Sequence, residues 1–497
     1  MHVKQAQKPG YHPARVRAVA GQTVDDGLMR SFSEFDAALG ADDLRRADEA
    51  RLRSLAIWAY LLLRPGMEFV RQRSNFLLGW QAAAGGSIAG GASAGAVGSA
   101  GVPPLGSWMI LPELTSPATR TVLPSNDALY GATHVELDLL GPMVVSVPAN
   151  VDDRYFSVSV MDAHMNNVAH IGPRWTGQDA VDVLVVPPGW VGVEPAGMRV
   201  VVAPTPSICL YNRMLVRFED GDLDRVRRWQ AGLRLTQLAH WGGPDPLLDD
   251  VPVDAFVHPD LNTTTDAFEY LRIGLAHLEH NPLVSSAGWL AALVSGAGFD
   301  AAAGDEDLCR AVAAGVDDAT RMLDASLTTW PRQGGWMVPD PRLGLPNSDV
   351  QRSAAYQQFQ IGSNDVAEAV YSFTDTDADG RVLDATGGAV YELTFGTGET
   401  PVVEPSGYWS VTMYNENSLL VDNPIDRYAT RPDRPGLHTG ADGRLTLTFA
   451  TQLPSGVPEA NWLPAPSGQF RLGLRVYYPG PALAAGQWAP PPVTRRP

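Results

Sequence analysis

The sequence is poor in cysteine. Cys209 and Cys309 are the only two among 497 residues. That excludes a disulfide framework and a cysteine-rich zinc site. Cys209 lies in the apolar run 207–210 and reads as core, whereas Cys309 lies in a helical pattern and reads as half-exposed. A single bridge between them is left open. Long hydrophobic runs are also missing. The most apolar stretch, 55–63, is far shorter than the ~20 residues that cross a bilayer. Residues 1–22 are polar and basic with no apolar leader core, so the chain reads as cytoplasmic and not inserted in a membrane. Positive charge is scarce. Against 55 Asp and Glu stand 37 Lys and Arg, a net charge of -18 that repels phosphate backbones and disfavours nucleic acid. The basic run Arg225, Arg227 and Arg228 follows Asp220, Asp222 and Asp224 and reads as a solvated helix face.

Recognised catalytic motifs are absent too. There is no Gly-x-Ser-x-Gly elbow, no Rossmann glycine fingerprint, no Walker loop and no His-Glu-x-x-His helix. No metal site and no cofactor are assigned. His277-Leu278-Glu279-His280 has the wrong spacing for a zinc helix and reads as a solvated helix end, with Leu278 facing the core. Asp375-Thr376-Asp377-Ala378-Asp379-Gly380 copies half of a calcium loop. Its twelfth position is Thr386 where a bidentate Glu is needed, so a turn is the simpler reading.

What is present divides the chain by periodicity. Residues 1–81 form an N-terminal helical segment, in which Leu52, Leu55, Trp58 and Leu62 make one apolar stripe until Pro65 and Gly66 interrupt it. Residues 82–106, rich in Gly, Ala and Ser, cannot fill a core and read as a linker or loop. Over 107–220 the period becomes two. Val135, Leu137 and Leu139 alternate with His134, Glu136 and Asp138; Met143, Val145 and Val147 follow, then Phe156, Val158 and Val160. Short strands with turn signals predict an antiparallel sandwich. Helical signals fill 221–365. Asp222 and Asp224 suit a first turn, Asp266 with Glu269 forms a cap pair, and an alanine-rich helix covers 306–327. In 366–497 Trp409, Val411 and Met413 alternate with Ser410, Thr412 and Tyr414, and Leu472, Leu474 and Val476 repeat the pattern, which predicts a second β-domain.

Particular stretches carry a family resemblance. The first region holds Asn126-Asp127-Ala128-Leu129-Tyr130, the run 141–148, Asp153-Arg154-Tyr155-Phe156, Asn166-Asn167 and the run 172–177. The second holds the runs 408–414, 422–428 and 461–466, then Phe470-Arg471-Leu472 and Leu474-Arg475-Val476-Tyr477. Together they resemble the paired families called domain of unknown function 1254, N-terminal, and domain of unknown function 1214, C-terminal. The resemblance implies an α+β multidomain chain. An Ig-like sandwich is followed by a jelly-roll-like sandwich, with helices packed before and between them. It brings no agreed reaction.

Candidate site residues are the polar groups inside these motifs. The expected reading is a cofactor-independent enzyme performing hydrolysis or another proton transfer on a small, partly apolar organic molecule at the module interface. Asp127 or Asp162 would be the base, Tyr130 the acid and Arg427 the anion clamp. Asn126, Asn166, Asn167, Arg174, Trp409, Tyr428 and Trp462 would bind the substrate. Asp162, His164 and His170 could converge in a histidine–carboxylate site of the kind that suits zinc or iron, against the simpler reading of turn and strand-end hydrogen bonding. Arg427 is further expected to reach Asp127 or Asp162 across the module boundary, because a buried guanidinium needs a carboxylate. The alternative is a non-catalytic ligand-binding or assembly protein built from two sandwiches, with Trp409 and Trp462 as contact aromatics. Self-association as a homo-oligomer is compatible with either.

Overall fold

The computed structural model describes residues 40–83, 105–119, 121–243, 253–262, 266–283, 287–346 and 349–496, with side chains at 80–83 excepted. The expected linker, but for its first two residues, which end helix α1, and its last two, lies outside these residues, as does the start of the helical pattern. By internal contacts the chain divides into Met1–Arg51 and Leu52–Pro497. Of the first unit, the described residues form the opening turns of helix α1 (Ala41–Ala83). All other described residues belong to the second unit.

Helix α1 does not stop at Pro65 and Gly66; it runs through them to Ala83. Proline costs one intrahelical bond, and packing compensates, with Leu62, Leu63, Met67 and Val70 all in the helical core. Ala56 and Ala59 take inner positions on this helix, while Trp58 faces outward.

The first sandwich has two sheets. Strands β1 (Met109–Ile110), β2 (Ala128–Glu136), β3 (Met143–Val147), β4 (Phe156–Asp162), β5 (Asn167–Ile171), β6 (Val181–Val186), β7 (Arg199–Val202), β8 (Ser207–Leu215) and β9 (Arg234–Gln237) form them. The orders are β1-β2-β8-β4-β5 and β7-β6-β3-β9. Inward residues Val135, Val158, Val160, Ile208 and Leu210 meet Met143, Val145, Val183 and Val185 from the facing sheet. Three expectations change. The alternation at Leu137 and Leu139 ends in one helical turn, α2 (Leu137–Leu140), which leaves Leu139 exposed. The pair β6–β7 is parallel, so the sandwich is not wholly antiparallel. Strand β9 pairs with β3 beyond residue 220, after helix α3 (Asp222–Gln230).

Helices α4 (Ala267–His280), α5 (Gly288–Ser295), α6 (Phe299–Ala302), α7 (Glu306–Thr328) and α8 (Val350–Phe359) pack with α1 in a helical core of their own. Asp266 caps α4 by accepting from Phe268 and Glu269 N–H groups. Between α7 and α8 lies the short hairpin of β10 (Arg332–Gln333) and β11 (Trp336–Met337).

The second sandwich contains β12 (Ala369–Thr374), β13 (Tyr391–Phe395), β14 (Val403–Asn415), β15 (Ala429–Thr430), β16 (Leu445–Ala450), β17 (Trp462–Pro464), β18 (Phe470–Pro479) and β19 (Val493–Arg495). Its sheets run β12-β18-β14-β15 and β17-β16-β13-β19. Trp409, Val411, Met413, Leu472, Leu474 and Val476 face the inner core, as the alternation requires. Their out-of-phase neighbours are buried as well. Ser410, Thr412, Tyr414, Arg475 and Tyr477 are covered, and Tyr408, Tyr414 and Tyr477 share an apolar cluster with Tyr155 and Leu215 of the first sandwich. The two sandwiches therefore meet through a layer of aromatic and polar side chains.

Candidate active site between the two sandwiches

Tyr155 is the aromatic centre of this layer. Its ring packs 4.8 Å from those of Tyr477 and Tyr478 and 5.6 Å from that of Tyr408. Gly172 permits the approach, since a Cβ there would stand 2.9 Å from the Tyr478 hydroxyl, which donates to the Phe156 carbonyl at 3.1 Å. The Tyr155 hydroxyl lies 2.9 Å from Glu368 Oε1 and 3.1 Å from Ser157 Oγ. Burial pushes the Glu368 carboxyl above its ordinary value, and the opposing influence of His170, Tyr155 and Arg174 does not cancel it.

A second constellation crosses the same boundary. Ser159 lies on β4 and His170 on the paired strand β5, opposite each other in register. Asp365 precedes β12. Ser159 Oγ is 3.1 Å from His170 Nδ1, and His170 Nε2 is 3.0 Å from Asp365 Oδ2. A carboxylate only accepts, so Nε2 is the donor to Asp365, and in the singly protonated tautomer Nδ1 is the acceptor that faces Ser159. Asn364 Oδ1, also 3.1 Å from Ser159 Oγ, is served by Arg213 Nη1 at 3.1 Å. The single serine proton can therefore go either to Asn364 Oδ1 or to the imidazole, and the relay operates in the second arrangement. Burial opposes ionisation of Asp365, but His170 and the N–H groups of Glu368 and Ala367 outweigh it and hold the carboxyl below its usual range.

The residues singled out in the sequence are scattered. Asp127 is buried and lies 3.4 Å from Arg431, whose Nη2 also donates to Val216 O. Arg427 stays in its own sandwich, on Glu459 and the Trp462 carbonyl. The cross-module contact expected of Arg427 is thus made four residues later. Asn126 donates to Thr115 O. Tyr130, half-buried, lies in register opposite Arg213 in the inter-sandwich layer. Asp162 locks a turn by accepting from the backbone N–H groups of His164 and Asn166 and from the Asn166 side chain. His164 turns away to Asn281 O at 2.8 Å, so Asp162, His164 and His170 do not converge. Asp162, His164 and Asn166 do line a cavity of about 250 Å³ with Leu61, Pro65 and Val350. Asn167 ties the Gly344 and Ser363 carbonyls. Arg174 is exposed above the Tyr478 ring. Trp409 and Trp462 are buried, the first against Phe395 and the second donating to Ala450 O, so neither presents an open contact face. Tyr428 bonds Asp426.

His277 is not on a solvated face. It is buried, donates to Ala163 O at 2.9 Å, and burial holds its pKa down at about 3. Among the described residues, one group has metal-ligand spacing: Glu136, Asp138 and His280. Arg73 and Ser207 already bind Glu136. The Asp375–Gly380 stretch is a turn closed by the Thr376–Val382 bridge, in which Asp377 accepts from Asp379 and Arg381 N–H groups.

Reasoning from the sequence missed Ser159, Asp365, Glu368, Tyr155, Arg213 and Arg475 as site residues. A signal for several was there. Ser159 interrupts Val158 and Val160, and Arg475 stands between Leu474 and Val476, so each is a polar side chain on the second face of a strand buried on both.

The architecture defines an α+β chain of two β-sandwiches with a helical layer, joined through a buried polar boundary. Residues 106–237 match the family model for Protein of unknown function (DUF1254), and residues 368–481 match that for Protein of unknown function (DUF1214). The chain thus carries a DUF1254 match followed by a DUF1214 match, in the order of the two-module family it resembles. No curated protein matches it. It is similar to the crystal structure of the VPA0106 protein from Vibrio parahaemolyticus, at 18% identity and TM-score 0.61, over 90% of this chain and 100% of that one. That likeness concerns the fold alone. An uncharacterized protein from Burkholderia cenocepacia aligns at 12% identity over 88% of this chain and 94% of that one, with a TM-score of 0.43, too low to carry an argument.

Proposed function

We propose that the boundary between the sandwiches is the working site of a cofactor-independent enzyme. It would perform hydrolysis or a related proton transfer on a small, partly apolar organic molecule. The observation that carries this reading is the Ser159–His170–Asp365 relay. An imidazole held by a carboxylate at one nitrogen can take a hydroxyl proton at the other, and the carboxylate stabilises the imidazolium that forms. Here Nδ1 faces the serine and Nε2 the carboxylate, the reverse of the serine-protease arrangement. The His170 and Asp365 side chains are each 15% exposed, which gives this end of the relay access to solvent. Turnover of short p-nitrophenyl esters tests the reading. Ser159→Ala and His170→Gln should each lower the rate ~10²–10⁴-fold, the usual worth of a positioned base. Equal rates in wild type and both variants would remove the catalytic assignment.

The full burial of Ser159 favours a second reading, ligand binding without turnover. A small molecule retained in the native mass spectrum of the purified protein, with no ester hydrolysis, would select it.

A further inference from the structure

Among the described residues five arginines are buried: Arg73, Arg154, Arg213, Arg431 and Arg475. Three are paired with carboxylates. Arg73 holds Glu136, Arg154 holds Asp152 and Asp222, and Arg431 holds Asp127 and Asp433. Arg213 and Arg475 are 6% and 3% exposed and have only neutral partners among the described residues. Arg213 donates to Ser159 Oγ and Asn364 Oδ1 at 3.1 Å and to the Gly362 carbonyl at 2.5 Å. Arg475 donates to Thr412 Oγ1 at 3.2 Å and the Leu123 carbonyl at 2.7 Å. A guanidinium keeps its charge at any physiological pH, and burying it unpaired is costly.

Both cations lie in the inter-sandwich layer. Arg213 sits in register beside Tyr130 and Ser157, and Arg475 beside Tyr371 and Ser410. The two share Tyr130, Tyr371 and Tyr477 as electrostatic neighbours. Burial raises the hydroxyl pKa of Tyr371 and Tyr477, so both rings stay neutral and supply no counter-charge. Two further polar atoms in the layer, Tyr408 Oη and Ser410 Oγ, are buried without any partner among the described residues. Buried polar groups are normally satisfied. Tyr408 stacks on Tyr477 at 4.6 Å, so its hydroxyl belongs to the same aromatic set.

We infer that the module boundary binds an organic carboxylate, with its acid group held by Arg213 and Arg475 and its apolar body against the layer's tyrosines. A carboxylate supplies the missing counter-charge and matches the planar guanidinium fork. The stacked tyrosines offer flat apolar faces. The inference rests on the reading of this boundary as a small-molecule site, and it names the ligand class of that site.

Titration calorimetry with benzoate, phenyl phosphate and benzyl alcohol tests it. The expected result is that benzoate binds at least tenfold more tightly than the uncharged benzyl alcohol and that Arg475→Met removes the difference. In ligand-free protein, Arg475→Met should melt no lower than wild type, because it deletes an uncompensated buried charge. Equal binding of benzoate and benzyl alcohol overturns the carboxylate and leaves the small-molecule site standing. Preference for phenyl phosphate over benzoate overturns the carboxylate in favour of a phosphate. If none of the three binds, the boundary is not a site for molecules of this size and both readings fall. A lower melting point for ligand-free Arg475→Met would show that its neutral partners already satisfy the guanidinium, which also overturns the inference.

Discussion

Arg431→Met removes one of the charged contacts that tie the two modules together. Arg431 and Asp127 are both buried, and their closest atoms are 3.4 Å apart. Asp433, the other carboxylate on Arg431, is 46% exposed in its side chain and can be rehydrated. Asp127 cannot, and without the guanidinium it keeps only Ser125 as a side-chain partner among the described residues. Stranding one member of a buried pair typically costs ~3–5 kcal/mol. The contact is longer than an ideal ion pair, so the lower end, about 3 kcal/mol, is expected. The Val216 carbonyl also loses its bond from Nη2. Adding Asp127→Asn removes the stranded charge, and the double variant should recover about 1–2 kcal/mol of the loss, the desolvation cost of a buried charged group. Arg427→Met should cost less than Arg431→Met, because its carboxylate partner Glu459 is 62% exposed. Guanidinium denaturation followed by tryptophan fluorescence measures all four proteins. If Arg431→Met lies within about 0.5 kcal/mol of wild type, the ordinary range of a surface substitution, this pair does not hold the boundary.

The packing sets two further outcomes. Gly315 on α7 lies against α1, where a Cβ would stand 2.4 Å from the Arg53 carbonyl and 2.8 Å from Ala56 Cβ. Gly315→Ala should destabilise by about 2 kcal/mol: the clash is with backbone, so the upper end of the ~1–3 kcal/mol cost of overpacking applies, less the ~1 kcal/mol gain in helix propensity; wild-type stability in denaturation would show that the helices can part. Glu368→Gln keeps an acceptor for Tyr155 but cannot ionise. Because the folded pKa of Glu368 is raised above 4.5, the folded state binds the extra proton. Stability therefore falls as pH rises from the ordinary value through the folded one. The variant should gain melting temperature over wild type at pH 7–8 and lose that gain below about pH 4; a difference that does not change with pH would refute the assignment.

Periodicity exposed the strands well and their surroundings poorly. Trp409, Val411 and Met413 face the core as their alternation requires. The same pattern leaves Ser410, Thr412 and Tyr414 for the opposite face, and nothing local says that this face meets another module rather than water. Helix α1 passes Pro65 because its neighbours pack well enough to hold it, a tertiary effect invisible in the proline itself. The need for a cation opposite Asp127 was legible from chemistry. The choice between Arg427 and Arg431 was not, because it depends on which side of the Asn423–Arg427 turn faces the first sandwich. Asn423 accepts from Arg427 N–H at 3.0 Å and folds that turn back on its own module. His277 looked solvated because the helix pattern identifies one buried face, whereas α4 is covered on two: Leu278 enters the helical core and His277 reaches β4's end at Ala163.

Stability alone does not account for what lies between the sandwiches. An interface selected only for adhesion would gain most from apolar side chains, since replacing buried ionic groups with hydrophobic ones is often neutral or stabilising. The first sandwich has such residues within its own core, in Val158, Val160 and Leu210. On the other face of the same strands it places Ser157, Ser159 and Arg213, and the second sandwich opposes them with Tyr371, Ser410 and Arg475. The charged pairs Arg154–Asp222 and Arg73–Glu136 show that the fold can match a buried arginine to a carboxylate where structure is all that is needed. Among the described residues it supplies none for Arg213 and Arg475. Two charges without a carboxylate, two hydroxyls without a partner among the described residues and a serine–histidine–aspartate relay occur in one layer, each at some expense to stability. If the boundary binds the proposed carboxylate, that ligand would offset the expense by adding its binding free energy to the folded state alone. On this argument the boundary is least stable empty, and the protein should melt higher with its ligand than without.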